Sequence, residues 1–169
     1  MAGSSEVAGR ASRRARLQTD TAGAIYGTIL ATAVIAGTAR HRPPGRVLAL
    51  TVATLLVFWL AHVYAAALSH HLLRATRLRW ATIATAMAEE WPMVAGPAPS
   101  LLLLLLGALG LLGDEAAVNL ALWAALAQLV GWGVTYARRQ GWSWLAAVVA
   151  GTVNGTFGAA IIALKAFLH

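Results

Sequence analysis

Cysteine is absent from all 169 residues, which excludes disulfides and thiolate metal sites. Charge is scarce as well. Charged residues make up 11% of the chain, against about 25% in a typical soluble domain. A soluble protein of this length must cover a large surface with polar groups, and this chain lacks them. Familiar catalytic signatures are missing too. There is no His-Glu-x-x-His pair, no Walker-type loop, no Gly-x-Ser-x-Gly elbow and no dinucleotide fingerprint. The expectation is therefore a chain with no metal site, no cofactor and no enzymatic activity.

What is present is apolar. Residues of the hydrophobic set form 59% of the sequence, and they lie in long continuous runs. The net charge of +7 would suggest nucleic acid in a soluble domain. Here the arginines flank apolar runs, so membrane topology and anionic headgroups account for them, and nucleic acid is not an expected partner.

A membrane-spanning helix needs about 20 mainly apolar residues. Five segments qualify: 22–39, 47–68, 93–113, 116–137 and 142–167. Lipid offers no partners to backbone N–H and C=O groups, so these segments must be helical. The runs do not alternate, which excludes a β-barrel. The fold class expected is all-α, a polytopic helix bundle. Residues 1–20 read as a disordered basic tail and 21–169 as the transmembrane domain. The first run is long for a signal-peptide core and reads as a retained helix. Asp114 or Glu115 is placed to cap the fourth helix, and Arg138-Arg139-Gln140-Gly141 to end it.

Segment 69–91 is different. It carries Arg74 and Arg77, and it repeats Ile83, Met87 and Trp91 every fourth residue. That pattern predicts an amphipathic helix at the membrane surface, or an extended helix on the cytoplasmic side. Five spans put nine Lys/Arg on the side of the N-terminus and four on the other. The positive-inside rule then places the N-terminus in the cytoplasm and the C-terminus outside, in the plasma or inner membrane. Trp80, Trp91, Trp132, Tyr136, Trp142 and Trp144 fall near the cytoplasmic interface, where amphipathic rings collect.

A few polar residues stand out. His62 lies inside the second span, with small residues on its helical face. One reading makes it a proton-relay or ion-pathway residue, with Tyr64 beside it and Glu89 and Glu90 at the cytoplasmic mouth. The other makes it a neutral imidazole bonded across the bundle, with both glutamates paired to arginines or favourably placed near a helix N-terminus. His70 and His71 are adjacent, point to different sides of a helix and cannot form an i,i+4 metal pair. Gln128 and Asn154 fall near mid-membrane and predict a mutual hydrogen bond; the sharper reading is a polar path that includes Thr28. Gly23, Gly27 and Ala31, and likewise Gly151, Gly155 and Ala159, recur at four-residue steps. These are faces for close helix packing, either within the chain or with another subunit.

The stretches AIYGTILATAVIAG, FWLAHVYA and EEWP, followed by three closely spaced apolar runs, resemble small bacterial multi-pass membrane proteins of uncharacterised role. That resemblance implies a fold and no activity. The layout is also similar to the vacuolar-iron-transporter family in architecture: five spans, a helical extension after the second and a glycine-rich fifth. The family's metal set is not matched. The first span holds no carboxylate beyond Asp20 at its mouth, and the second has His62 and Tyr64 where the family has methionine and glutamate. The leading expectation is a packing or accessory protein, embedded in lipid and associating with itself or another membrane subunit. The alternative is a proton or cation transporter using His62 and the Glu89/Glu90 pair.

Overall fold

The computed structural model describes the backbone of residues 2–39, 42–74 and 80–167 and the side chains of 20–39, 42–69 and 80–163. Among the described residues the protein is all-helical, with no strand. The elements are α1 (Ala2–Thr38), α2 (Pro44–Arg74), α3 (Trp80–Glu90), α4 (Pro92–Ala95), α5 (Ala98–Ala108), α6 (Asp114–Arg139) and α7 (Trp144–Phe167). Four of them contain stretches long and apolar enough to cross a bilayer: Asp20–Thr38, Pro44–Ser69, Asp114–Arg139 and Trp144–Ala163. α1 also takes in the basic N-terminal segment, which is rich in the helix formers alanine and arginine.

The third apolar segment departs from expectation. It is not one helix over 93–113. Trp80–Ala95 and Ala98–Ala108 form a pair bent by 60°. Pro97 and Pro99 cause the break, because neither can donate a backbone N–H to the preceding turn. α5 alone has 11 residues, a rise of about 16 Å, too short for a hydrocarbon layer of about 30 Å. Within segment 69–91, residues 75–79 lie outside the described residues. The segment's first residues prolong α2, and α3 packs back along α2 instead of lying apart. The Trp59 indole N–H donates to the Met87 carbonyl at 3.3 Å, and Trp59, Val63, Ala86 and Met93 share a buried cluster.

With the four long helices, the bent pair makes a fifth apolar segment if it counts as one span. At one end of the bundle, Pro44 lies against Gly107, and Ile35, Val47, Leu104 and Val118 pack together. At the other end, Arg139 reaches Thr21. Both turns next to α6 stop helices in the same way. Gly110 has φ 74° and Gly141 φ 80°, a conformation that suits glycine. The following residues close back on the helix, Leu111 N–H to Leu106 and Trp142 N–H to Ala137, forming Schellman motifs. At the start of α6 the cap residue is Gly113, not a carboxylate. Asp114 and Glu115 sit in the first turn and act on the helix dipole.

The interior is built from small residues. On α6, Ala117, Ala121, Ala125 and Leu129 are buried at helical spacing. On α1, Ala24, Thr28, Ala31, Thr32 and Ile35 form the matching stripe. The buried threonines are satisfied within their own helices. Thr28 Oγ1 donates to the Ala24 carbonyl at 2.7 Å, and Thr32 Oγ1 to the Thr28 carbonyl at 2.6 Å. Thr28 therefore offers no hydroxyl proton to a path across the bundle.

Two interfaces depend on glycine. A methyl group at Gly27 would overlap the Met93 carbonyl oxygen, and one at Gly96 would stand 2.7 Å from the Ala24 carbonyl oxygen. The contacts are reciprocal, α1 to α4 and α4 to α1, and put Cα–H groups against carbonyl oxygens. The same reciprocity joins α6 and α7: Gly133 faces the Ala150 carbonyl, and Gly151 faces the Val130 carbonyl. Gly155 packs on Val130, and Gly23 lies in ordinary contact with Pro92 and Met93. The small-residue faces are thus used inside the chain.

Candidate functional site

A helix broken inside a bundle leaves backbone carbonyls without their usual donors. At this break, Ser100 and Leu101 both turn their N–H groups to Pro97, so neither serves Gly96. The Gly96 carbonyl is rescued from another helix. Gln128 on α6 donates its side-chain N–H to it, and the Gln128 carbonyl oxygen accepts from Ser100 Oγ at 3.0 Å. This corrects the expected pairing of Gln128 with Asn154. Proline chemistry created a stronger demand one helix away, and Asn154 instead lies with its amide against Gly133.

Successive residues of α6 on this face are Gln128, Trp132 and Arg139. One turn beyond Gln128, the indole N–H of Trp132 is buried and has no hydrogen-bond partner among the described residues. Trp132 is thus not part of the exposed aromatic belt, whereas Trp80, Trp91, Tyr136, Trp142 and Trp144 are exposed. Two turns further, Arg139 extends one guanidinium N–H toward Thr21 Oγ1 at 3.5 Å. Trp132 and Arg139 border a cleft of about 330 Å³ between α1, the break and α6. Asp20, Thr21 and Ala24 line its α1 wall, and Trp91, Pro92, Ala95 and Gly96 line the wall of the break. Trp91 is held there by an edge-to-face contact with Trp59, ring centroids 5.8 Å apart. Arg138, the neighbouring cation, points elsewhere: it donates to the Trp142 carbonyl at 2.7 Å and lies over the Trp144 ring.

Among the described residues, His62, Tyr64, Glu89 and Glu90 share no hydrogen bond, ion pair or ring contact with one another. His62 Nδ1 is 2.9 Å from the Phe58 carbonyl, so this nitrogen carries the proton and donates. The imidazole packs on Tyr26 of α1, ring centroids 5.4 Å apart. Tyr64 stands two residues on, rotated to another side of α2, and is 70% exposed. Glu89 is exposed and Glu90 half-buried, and neither forms an ion pair among the described residues. The side chains of His70, His71 and Arg74, and the whole of Arg77, lie outside the described residues. No group of three or more His, Asp or Glu suited to a metal ion occurs among the described residues.

Asp20 at the mouth of the first span was noted from the sequence, but it was not joined to Pro97 and Pro99 in the third segment. The missed signal was Gln128, Trp132 and Arg139 on one helical face, opposite a proline-interrupted apolar segment. No family model, curated protein or solved structure matches the chain.

Proposed function

We propose that this chain is a non-enzymatic multi-pass protein of the plasma or inner membrane. It crosses five times, with its N-terminus in the cytoplasm and its C-terminus outside, and serves as a packing or accessory subunit. One observation carries the reading. The small-residue faces are used within the chain, while broad apolar faces of α2 and α7 remain uncovered. Val57, Leu60 and Tyr64 on α2, and Leu145, Val149, Val153 and Phe157 on α7, are exposed. Patches of that kind are covered by lipid or by another membrane subunit. Trp123, 64% exposed on α6, belongs to the same outer surface.

The absence of cysteine makes the test clean. Leu111→Cys and Gln140→Cys place single thiols in the turns at opposite ends of α6. With five crossings, a membrane-impermeant maleimide labels Leu111→Cys in intact cells and Gln140→Cys only after permeabilisation. Labelling of both from one side sinks the crossing count, and the reversed pattern sinks the orientation. In reconstituted vesicles the chain should conduct neither protons nor common cations above protein-free controls. A flux lost in His62→Ala and kept in His70→Ala would replace the accessory reading with a transport one.

A further inference from the structure

The cleft at the helix break has properties that packing alone does not require. It is lined by an acidic and a basic residue, Asp20 on α1 and Arg139 on α6. They form no ion pair with each other among the described residues. A guanidinium has five N–H donors, and a single long contact to Thr21 occupies one of them. Deeper on the same face is the unpartnered, buried indole N–H of Trp132. An unsatisfied buried donor is costly, so a guest that brings an acceptor to it is favoured. Ala24, Pro92 and Ala95 give the rest of the lining an apolar character.

We propose that this cleft binds a zwitterionic aminoalkyl phosphodiester, the headgroup of a bilayer lipid of the ethanolamine type. The phosphate is the acceptor for Arg139 and Trp132, as guanidinium–phosphate and N–H–phosphate chemistry favours. The ammonium faces Asp20. A purely anionic guest would leave Asp20 opposing it, and a purely cationic one would meet Arg139. Only a guest with both charges satisfies both residues. The cleft volume of about 330 Å³ is at the small end for a ligand pocket, in keeping with a headgroup rather than a whole lipid. Its place favours a lipid over a soluble zwitterion. The cleft lies at the end of the bundle where Trp80, Trp91, Trp142 and Trp144 are exposed, the depth at which such rings meet headgroups. Acyl chains would then run along the exposed apolar surface.

The test uses the full-length protein in neutral maltoside micelles, with native mass spectrometry counting bound lipid on the folded fraction from gel filtration. The probes are phosphatidylethanolamine, phosphatidylglycerol and soluble glycerophosphoethanolamine. Wild type should retain one phosphatidylethanolamine per chain in preference to phosphatidylglycerol. Arg139→Gln and Trp132→Phe should each weaken its retention, Arg139→Gln by about tenfold, the scale of a lost charge-assisted bond. Asp20→Asn should weaken phosphatidylethanolamine while leaving phosphatidylglycerol unchanged or stronger. Arg138→Gln, a neighbouring cation outside the cleft, should retain wild-type binding and controls for general loss of charge. Equal retention of both lipids by wild type, or retention unchanged across Arg139→Gln, Trp132→Phe and Asp20→Asn, overturns the proposal. Soluble glycerophosphoethanolamine displacing the lipid at equal concentration overturns the assignment to a membrane lipid.

Discussion

Gln128 shows how one side chain compensates a backbone defect. Proline at position 97 redirects the N–H groups of the next turn and leaves the Gly96 carbonyl to be satisfied from α6. Replacing Gln128 with Leu keeps the volume but strands that carbonyl away from water. The expected loss is about 1–3 kcal/mol, read as a lowered unfolding midpoint in mild detergent. Ser100→Ala removes only the hydroxyl that donates to Gln128 and should cost about 1 kcal/mol or less, since Gly96 keeps its donor. If the two variants lose equal stability, the Gly96 contact is not what Gln128 is for. His62 is a different case. It was singled out because an ionisable group in a span attracts attention, but its Nδ1 proton is held by its own helix and its ring lies on Tyr26.

The helices were legible in the sequence wherever their start and stop signals were local. The apolar runs of α1, α2, α6 and α7 lie where the sequence predicted rods, because run length and flanking charge are properties of neighbouring residues. The third segment looks continuous as a run of leucines, and the structure shows it bent where Gly96, Pro97 and Pro99 interrupt it. Glycines in these elements serve different ends, and substitution separates them. Gly141 has φ 80° and ends α6, so Gly141→Ala should cost about 1 kcal/mol. Gly131 lies within α6 with open space where a methyl would go, so Gly131→Ala should gain about 0.5–1 kcal/mol. Opposite signs for the two variants in the same thermal assay would bear this out. Equal signs would mean that backbone conformation does not govern the α6 stop.

At the scale of the whole molecule, the question is which surfaces face inward. The glycine stripes were open to two uses from sequence, internal packing or contact with another chain. The structure joins Gly27 to Met93 and Gly151 to Val130 and Val134 within one chain. Gly151→Leu should therefore lower the fraction of folded protein without changing the oligomeric state of what remains. Overpacking of this kind costs about 1–3 kcal/mol or more. Light scattering coupled to gel filtration would read it; a shift from oligomer to monomer at unchanged folded yield would return the glycine face to an intermolecular role.

The amino-acid sequence alone determined that the chain is helical and apolar enough to be read as membrane-spanning, and roughly where each apolar rod begins and ends. Those properties follow from composition, run length and turn residues close together along the chain. It could not determine where the Gln128 amide goes, which helix accepts Gly27, or that Asp20, Trp91, Trp132 and Arg139 border one cleft. Those depend on contacts between residues as much as 118 positions apart, set when a proline-broken helix lodges against α1 and α6. Only the packed bundle specifies that meeting, because backbone approach at Gly27 and Gly96 fixes which surfaces are brought together.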